Sequence, residues 1–313
     1  MAERVAIVGA GVSGLTCGVV LAERGFQTTI FAKETGQQTT SGAAAAIWFP
    51  YDAQPAEKVI PWALETYKVL IDLAGDPRSG VSMIDLRQFS RTAGIQIPDW
   101  AIPLGAGAVA TGLRPVFNSG FSLRVPLMDT TIYLDYLAGR FEKAGGEIHA
   151  RVRFEKLEEA DRDFDLVINC AGIGARELVR DTDLEPHRGQ IAIVSKIENL
   201  SCAIVCDDAP LTYAIPRTND CVFGGTNDLS SDLAADPATT KRIIAECSRA
   251  LNTEKPRVLA ERVGLRPFRT SGVRLEREKL RDGRIVIHNY GHGGSGFTLS
   301  WGCAREVLDI ATQ

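Results

Sequence analysis

The chain has 313 residues, of which 45% are hydrophobic and 24% are charged. This composition is typical of a globular protein and excludes a collagen-like or disordered chain. Its formal net charge is −4, and it has no long run of lysine and arginine. That balance argues against a nucleic-acid surface and favours a small-molecule partner. At about 150 residues per domain, the length predicts roughly two domains.

Residues 6–22 form an apolar segment that has to be weighed as a signal peptide or a membrane anchor. The segment contains four glycines, and it is shorter than the roughly 20 residues needed to span a bilayer. The seven cysteines are odd in number and lie in apolar surroundings, a pattern typical of reduced, buried thiols. Cys202 and Cys206 are close in sequence, but no histidine flanks them, so no metal site is expected. We expect a cytoplasmic protein without a membrane partner.

The first forty residues predict a βαβ unit. Residues 5–8 are an apolar run typical of a strand, and residues 28–32 are rich in β-branched side chains. Between them, apolar residues recur at helical spacing up to Gly25. The turn after the first strand reads GAGVSG, from Gly9 to Gly14. A GxGxxG turn between such a strand and such a helix predicts a dinucleotide site.

Each glycine of this turn has a physical role. Gly9 permits the tight turn, Gly11 lets a pyrophosphate approach the backbone, and Gly14 lets the helix pack closely on the strand. The helix N-terminus then supplies free N–H groups and the positive end of its dipole.

Glu34 follows Gly14 by twenty positions and lies just after the second predicted strand. An acid at this place is expected to accept hydrogen bonds from ribose hydroxyls. The alternative interpretation is a solvated surface carboxylate beside Lys33, and the sequence leaves both open.

The rest of the chain alternates between helical, β-rich and glycine-rich segments. Residues 36–51 are small and polar, then aromatic, which suits a loop against a cofactor. Residues 165–172 indicate a buried strand that runs into a second Gly-rich turn. Further predicted helices are 56–75, 129–143 and 237–251, with a closing helix after the glycine-rich segment 290–298; further predicted strands are 121–125, 147–154, 190–194, 212–215, 221–224 and 284–289.

Seven longer motifs, taken together and in order, resemble the FAD-dependent D-amino-acid oxidase family. They are GAGVSG at 9–14, TTSGAAAAIWFPY at 39–51, VINCAGIGA at 167–175, EPHRGQI at 185–191, TYAIPRT at 212–218, ERVGLRPFRTSGVRLERE at 261–278 and HNYGHGGSGFTLSWGCA at 288–304. The match runs from residue 4 to about residue 309, and the last two motifs are the most specific. Within the family, D-aspartate oxidase is the nearest alternative and glycine oxidase is more distant.

The resemblance implies an α/β fold in which a Rossmann-like FAD-binding domain is interleaved with a smaller α+β substrate domain built on an antiparallel sheet. Residues 1–52, 127–192 and 258–313 are expected to form the first domain, and residues 53–126 and 193–257 the second. The implied reaction passes a hydride from Cα of a D-amino acid to FAD; the imino acid hydrolyses to a 2-oxo acid and ammonia, and O2 becomes hydrogen peroxide. The oligomeric state stays open, with a homodimer as one option.

Three residues are implied as the catalytic set. Arg266, in the GLRP motif, matches the carboxylate clamp of the family, and a guanidinium suits this role because it binds a carboxylate through two parallel hydrogen bonds. Tyr213 matches the phenol that assists it, and the backbone carbonyl of Gly294 matches the acceptor for the amine. Without the motifs, Arg266 has the alternative interpretation of a solvated loop arginine and Tyr213 that of a half-buried strand tyrosine.

The resemblance and the glycine-rich turns also imply a set of FAD contacts. At the start of the last helix, N–H groups and the helix dipole favour negative charge on the flavin. His288 and His292 flank this turn and, without a carboxylate partner evident in the sequence, are expected to be structural. The predicted FAD set is Gly9, Ala10, Gly11, Val12, Ser13, Gly14, Glu34, Thr40, Ser41, Ala46, Ile47, Val152, Gly172, Gly291, Gly293, Gly294, Ser295, Gly296, Phe297 and Thr298.

Three departures from the family pattern bear on the substrate. Ala209 stands where vertebrate-like members carry a lid tyrosine, Phe49 where they carry a pocket glutamine, and Asn227 where D-aspartate oxidases carry an arginine. Ala209 implies that the lid is absent or small, whereas Phe49 and Asn227 favour neutral or apolar D-amino acids, because an unpaired side-chain carboxylate is costly to desolvate. Arg217 is either a partner for an acidic substrate or a surface residue. The predicted substrate pocket is Ile47, Phe49, Asn227 and Ser295.

Two interpretations from other classes stand beside the oxidase. The GxGxxG turn and Glu34 alone fit an NAD-dependent dehydrogenase, and the altered lid fits a flavin-binding protein without turnover. The motifs together favour the oxidase.

Overall fold

The computed structural model describes residues 3–92, 94–110 and 116–313. Its α-helices are α1 (Val12–Ala22), α2 (Ala56–Leu73), α3 (Thr130–Lys143), α4 (Ala175–Leu178), α5 (Pro237–Leu251) and α6 (Gly296–Ala311). Its strands are β1 (Arg4–Ala10), β2 (Gln27–Thr35), β3 (Val81–Ser90), β4 (Gly107–Ala108), β5 (Ser119–Met128), β6 (Glu147–Ala150), β7 (Leu166–Asn169), β8 (Leu184–Ser195), β9 (Cys202–Cys206), β10 (Thr212–Pro216), β11 (Asp220–Gly224), β12 (Asp228–Leu229), β13 (Val258–Arg269), β14 (Arg274–Lys279) and β15 (Ile285–Tyr290).

One sheet has six strands among the described residues, in the order β14-β15-β7-β1-β2-β6. The strands from β15 to β6 run parallel, and β14 is antiparallel at the edge. In the middle, Val5, Ala6 and Ile7 of β1 are all fully buried, which a parallel sheet covered on both faces requires. β1, α1 and β2 form the βαβ unit that the sequence predicts, with Val5 opposite Thr28.

α1 packs against both α3 and α6. Gly18 allows this close approach, because a Cβ there would lie 3.0 Å from both Ile30 and Phe141. Asp129 caps α3 as predicted, and its carboxylate accepts a hydrogen bond from the backbone N–H of Thr131 at 3.1 Å. The helices therefore hold β1 and the turn after it in a fixed place.

The second sheet has nine strands among the described residues, in the order β12-β8-β11-β10-β9-β3-β5-β4, with β13 also paired to β8. Its pairs are antiparallel except that of β3 with β9, which is parallel. α5 contacts β8, β10 and β11, and Ile243 and Cys247 of this helix share a core with Ala214 of β10. Because side chains alternate along a strand, Tyr213 and Ile215 of β10 point to the opposite face.

The predicted fold class is confirmed, since a parallel Rossmann-like sheet and a mainly antiparallel sheet occur in one chain. α5 has the predicted bounds. The sequence missed β3, β9, β13 and β14. β13 and β14 carry many charged side chains at half-exposed or exposed positions and so lack an apolar alternation. The predicted strand 147–154 was wrong beyond Ala150, where β6 ends.

The predicted domain ranges stay a prediction. Most residues of β8 and β13 fall in the ranges given to the FAD domain. These two strands nevertheless pair with each other in the nine-stranded, mainly antiparallel sheet. Residues 1–2, 93 and 111–115 of those ranges lie outside the described residues.

Two further sequence predictions concern membranes and thiols. No helix in the described part of the chain is both long and apolar enough to cross a membrane. All seven cysteines are buried, as predicted. The Sγ atoms of Cys17 and Cys170 lie 3.9 Å apart, which is a contact between thiols.

Candidate active site

A cleft of about 780 Å³ has walls from both sheets. One wall comes from the carboxyl ends of β1, β2 and β7 and from the turns that follow these strands. The other comes from one face of β3, β9 and β10 and from parts of β8 and β13. Ligands of open α/β sheets bind outside the carboxyl ends of the parallel strands, so the first wall is the expected place for a nucleotide.

The turn after β1 depends on glycines. Gly9 has a φ of +109°, and a Cβ there would collide with the carbonyl oxygen of Cys170. A Cβ at Gly14 would collide in the same way with the carbonyl oxygen of Gly9. At Gly11 a Cβ would lie 3.1 Å from Oγ of Ser41. Gly9 and Gly11 line the cleft and present bare backbone to it, as predicted from their spacing.

Two helices begin at the cleft without a side-chain cap. α1 starts after Gly11, which has no side chain, and α6 starts after Ser295, whose hydroxyl accepts no capping hydrogen bond from the helix. Neither helix has an acidic residue in its first turn. The backbone N–H of Val12 donates to Oγ of Ser41 at 2.9 Å. The positive ends of both dipoles therefore suit an anionic ligand.

Arg266 on β13 lines the opposite side of the cleft. Its Nη1 donates to the backbone oxygen of Thr226 at 2.9 Å and to Oδ1 of Asn227 at 3.2 Å. A Cβ at Gly189 would lie 2.6 Å from Nη1, so the guanidinium rests directly on the backbone of β8. The planar group is thus held in one orientation with the cleft in front of it, which suits bidentate binding of a carboxylate.

Tyr213 on β10 lies beside Arg266, whose positive charge acts on the phenol. The tyrosine ring covers Gly224 and Gly225, where any Cβ would collide with it. Burial raises the pKa of Tyr213, and the charge of Arg266 lowers it in part. The phenol therefore stays protonated and can donate a hydrogen bond to an anion.

Tyr51 packs over Gly294, where a Cβ would lie 2.5 Å from its ring. Oγ of Ser295 accepts from the backbone N–H of Tyr51 at 2.7 Å and donates to its carbonyl oxygen at 2.5 Å. Burial and then the charge of Asp207 raise the pKa of Tyr51 to about 12, against the opposing charge of Arg266. Tyr51 therefore lies within the fields of two opposite charges in the cleft.

Comparisons with known proteins agree with this geometry. The FAD dependent oxidoreductase family matches residues 4–310 of the chain. The chain is 42% identical to a D-amino-acid oxidase of Rubrobacter xylanophilus, over 98% of this chain and 95% of that protein. The chain belongs to the FAD-dependent oxidoreductase family. It is also 32% identical to human D-aspartate oxidase, over 99% of this chain and 95% of that protein.

Among solved structures, this FAD-dependent oxidoreductase resembles glycine oxidase from Geobacillus kaustophilus, with a TM-score of 0.83. The two sequences are 18% identical, and the alignment covers 99% of this chain and 95% of the other. At that identity, the likeness shows a shared fold.

FAD is the cofactor of this family, and the cleft fits it. The two uncapped helix N-termini match the anionic pyrophosphate and the polar edge of the flavin. At Gly9 and Gly11 no side chain separates the backbone from the cleft, so the diphosphate can approach closely. When bound, FAD accepts the two electrons of the reaction.

Most residues of the predicted site line this cleft. The ones that do are Gly9, Ala10, Gly11, Val12, Ser13, Glu34, Thr40, Ser41, Ala46, Ile47, Phe49, Val152, Gly172, Tyr213, Arg266, Gly293, Gly294, Gly296 and Phe297. Their roles in binding stay predictions.

Five predicted residues lie behind the cleft wall: Gly14, Asn227, Gly291, Ser295 and Thr298. Oγ1 of Thr298 accepts from the backbone N–H of Phe49 at 3.1 Å and donates to its carbonyl oxygen at 3.0 Å. Ser295 holds the backbone of Tyr51 in the same way, and Asn227 holds Arg266. Their contacts are those of residues that position the wall.

Glu34 lies both at the cleft and beside Lys33, so its position is compatible with both roles that the sequence left open. Its side chain lines the cleft, and it also lies 3.2 Å from Nζ of Lys33, which lines the cleft too. The ion pair is exposed, so the carboxylate is open to the cleft at little cost. The ribose role of Glu34 stays a prediction.

The two histidines of the last turn have different surroundings. Nε2 of His292 lies 3.0 Å from Oδ1 of Asn289, and burial lowers the pKa of His292 to about 4. Nε2 of His288 lies 2.9 Å from a carboxylate oxygen of Glu278. This partner was not evident in the sequence, because Glu278 lies on β14, a strand that was not predicted. Burial and the charge of Arg274 lower the pKa of His288 despite it.

Sequence reasoning missed Tyr51, Gln88 and Asp207, which line the cleft. Tyr51 ends the motif at 39–51, so its place was already marked in the sequence. Gln88 lies on β3 and Asp207 directly follows β9, and neither strand was predicted. No local sequence pattern predicts Gln88 and Asp207 as site residues, because strand pairing alone brings them beside Tyr213.

Proposed function

We propose that this protein is a D-amino-acid oxidase. It removes a hydride from Cα of a D-amino acid and a proton from the amine, leaving an imino acid that hydrolyses to a 2-oxo acid and ammonia. When bound, FAD takes up the hydride and passes the electrons to O2, which becomes hydrogen peroxide. The observation that carries the proposal is the fixed Arg266 guanidinium beside Tyr213, in a cleft whose other wall fits FAD.

The chain's own residues hold and orient the substrate in this proposal. Arg266 binds the carboxylate through two parallel hydrogen bonds, and the protonated Tyr213 donates a third. The backbone carbonyl of Gly294, on the opposite wall, accepts a hydrogen bond from the amine. With the carboxylate and the amine held in this way and the side chain directed along the apolar wall, three substituents of Cα are placed, so only one enantiomer presents its Cα–H to the cofactor.

The wall beside this anchor favours neutral side chains. Phe49, Leu86, Val205 and Ile215 line the cleft there, and an apolar wall makes a side-chain carboxylate costly to desolvate. Arg217, which the sequence left open as a partner for acidic substrates, is buried, and its Nε and Nη2 donate to the carboxylate of Asp220. Its burial excludes the surface position, and its commitment to Asp220 argues against a D-aspartate oxidase.

The segment 207–210, between β9 and β10, takes the place of a longer lid. Oδ2 of Asp208 accepts from Oγ of Ser90 at 2.7 Å and from the backbone N–H of Arg91 at 2.6 Å. The segment is therefore tied to the end of β3. We infer that the cleft mouth stays open during turnover.

An assay for peroxide across D- and L-amino acids tests the proposal. We expect purified protein to be yellow and to form peroxide with D-alanine, D-methionine or D-norleucine, and not with their L-enantiomers. Peroxide from L-amino acids alone, or reduction of NAD by colourless protein, would contradict it. A yellow protein without turnover of any amino acid would indicate a flavin-binding protein.

We further propose that the protein works in the cytoplasm. The burial of all seven cysteines, with Cys17 and Cys170 in contact as thiols, suits a reducing compartment.

A further inference from the structure

His187 lies behind the cleft wall, on the strand that pairs with the strand of Arg266. The Cα atoms of these two residues are directly opposite in the pairing of β8 with β13, so both side chains point to the same face of the sheet. The imidazole stacks on the ring of Phe268, with the centroids 4.5 Å apart and an angle of 18° between the planes. The ring of His187 is therefore held in one orientation beside the clamp.

The imidazole of His187 has a buried nitrogen without a hydrogen bond. Nδ1 has no hydrogen-bond partner among the described residues, although Oδ2 of Asp52 lies 3.4 Å from it. On the other side of the ring, a carboxylate oxygen of Glu185 lies 3.7 Å from Nε2. A buried polar atom without a partner is costly. The position of Nδ1 against a carboxylate therefore indicates a charge interaction, which forms when the ring is protonated.

The backbone of Asp52 is fixed in place. Its φ is +53°, a left-handed conformation that aspartate adopts more readily than most residues. Its carbonyl oxygen lies so close to Gly293 that a Cβ there would collide with it. The preceding residue, Tyr51, is bonded to Oγ of Ser295 through both its N–H and its carbonyl oxygen. The Asp52 carboxylate thus starts from a rigid attachment.

Asn227 connects Asp52 to Arg266. Its Nδ2 donates to Oδ2 of Asp52 at 3.5 Å, and its Oδ1 accepts from Nη1 of Arg266 at 3.2 Å. A single amide group therefore separates the carboxylate from the guanidinium, and the two charges lie within about one Debye length of each other at moderate ionic strength. An uncompensated charge on Asp52 would attract the guanidinium and oppose a second carboxylate bound to it.

The side chains that face His187 among the described residues are two carboxylates, one guanidinium and two uncharged groups. They belong to Asp52 before α2, Glu185 on β8 itself, Arg266 and Phe268 on β13, and Leu229 on β12. A protonated imidazole at this position compensates the charge of Asp52. A neutral imidazole leaves that charge to act on Arg266.

We propose that His187 and Asp52 set the affinity of Arg266 for the substrate carboxylate and make this affinity depend on pH. With His187 protonated, the charge of Asp52 is compensated and Arg266 binds the substrate tightly. When His187 loses its proton, the carboxylate of Asp52 opposes that of the substrate, and binding weakens. Both are positioning residues, since they lie behind the residues that line the cleft. The inference rests on the proposed function, in which Arg266 is the clamp, and adds a regulation of the same site.

Titration of the holoenzyme with hexanoate tests the inference. The carboxylate is the only ionisable group of hexanoate and stays charged above about pH 6. The flavin absorbance reports Kd without turnover. In wild type, we expect Kd to rise about fivefold between about pH 6 and about pH 8, as the histidine loses its charge.

Two variants should abolish this dependence in opposite ways. His187→Gln leaves Asp52 uncompensated at every pH, so Kd should stay at the weak value that wild type reaches in alkali. Asp52→Asn removes the charge, so Kd should stay at the tight value that wild type reaches in acid. Adding His187→Gln to Asp52→Asn should change nothing further. A merely structural role would weaken binding in both single variants.

His149→Gln is the matched control. His149 lies 3.4 Å from a carboxylate oxygen of Glu147, but both side chains are exposed on β6, an edge strand of the other sheet. The variant should keep the pH dependence of wild type. The other two histidines, His288 and His292, have pKa values lowered by burial, so they lose their charge at a lower pH.

The outcomes separate this inference from the oxidase proposal. If the expected pH pattern holds while no D-amino acid is oxidised, the oxidase proposal fails and the pair of His187 and Asp52 stands. If D-norleucine is oxidised but Kd for hexanoate does not change with pH, or changes equally in Asp52→Asn, the inference is overturned. Absence of hexanoate binding at every pH overturns it as well.

Discussion

The two halves of the cleft are built from different chemical groups. The cofactor half, beside β1, β7 and the start of α6, includes bare backbone at Gly9, Gly11 and Gly293. The substrate half, over β3, β9 and β10, is walled by side chains that alternate along the strands, such as Val205 and Tyr213. Where bare backbone forms the wall, a substitution acts mainly because the new side chain collides with its surroundings. Where side chains form the wall, a substitution changes only the side chain that it replaces.

Because of this difference, we expect one half of the cleft to determine cofactor binding and the other half to determine the choice of substrate. Bare N–H groups and helix dipoles recognise a phosphate in any chain that forms the turn. We expect the choice among substrates to depend on which side chains the paired strands bring together, here a guanidinium and a phenol beside an apolar wall. Substitutions in the first half should therefore abolish cofactor binding, and substitutions in the second should grade substrate affinity.

The largest effect is expected from Gly14→Ala in the cofactor half. A Cβ there would collide with the carbonyl oxygen of Gly9, which belongs to the backbone and is not the movable end of a flexible side chain. We expect loss of bound flavin on purification and a fall in unfolding free energy of about 3 kcal/mol. The absorbance of the flavin and urea unfolding measure the two effects.

Gly139→Ala is the control for that change. Gly139 is exposed on α3, and a Cβ there would meet nothing within 4 Å. Alanine in an open helical position should leave the flavin bound and stabilise the protein by about 0.5–1 kcal/mol. Retention of flavin by Gly14→Ala would contradict the view that this half works by close backbone approach.

The next effect is expected from Arg266→Lys in the substrate half. Lysine keeps the charge but loses the planar fork, so two parallel hydrogen bonds become one. We expect KM for D-norleucine to rise about 100-fold while the flavin stays bound. Steady-state kinetics and the flavin spectrum check this, with Arg262→Lys on the same strand as an exposed control. Equal losses in both variants would contradict a special role for the guanidinium fork of Arg266.

The cofactor half was predictable because its pattern is local. The residues from Gly9 to Gly14 are consecutive, and their spacing alone requires a strand, a turn and a helix. The same holds for Asp129, whose carboxylate lies two residues from the N–H that it caps. Short-range physics fixes such features before any tertiary contact exists.

The substrate half was not predictable from the residues alone. Gln88 is far in the chain from Val205 and Tyr213, and the three residues meet through the register of β3, β9 and β10. A shift of one residue in that register would turn each side chain to the other face. Arg266 was found through its family motif, because the half-exposed β13 has no apolar alternation to predict it.

His292 lies in the cofactor half of the cleft, and its buried side chain makes the stability of the folded protein depend on pH. Burial lowers its pKa to about 4 in the folded protein, against about 6.5 in the unfolded chain. Between these values the unfolded chain binds more protons, so stability falls as the pH drops through this window. From pH 7 to pH 5 the loss attributable to His292 should be about 2 kcal/mol.

Urea unfolding of wild type and His292→Asn at both pH values checks this. The variant lacks the titrating group, so its stability should fall less on acidification than that of wild type. Subtracting the variant's change in unfolding free energy between the two pH values from that of wild type cancels the contributions of the carboxylates and of the other histidines. Parallel slopes would place the acid sensitivity outside the cleft.

Gly189→Ala gives the smallest expected effect and the sharpest test of the contrast between the two halves. Gly189 is a glycine in the substrate half, yet its bare backbone touches a side chain of the protein: a Cβ would lie 2.6 Å from Nη1 of Arg266. The guanidinium is the far end of a flexible side chain and can shift, so the fold should survive and KM should rise about tenfold through misplacement of the clamp. Gly107→Ala, in the same sheet with nothing within 4 Å of its added Cβ, is the control and should leave KM unchanged. Flavin loss in Gly189→Ala would mean that the two halves are not separable, because a backbone change on the substrate side would then act on the cofactor side.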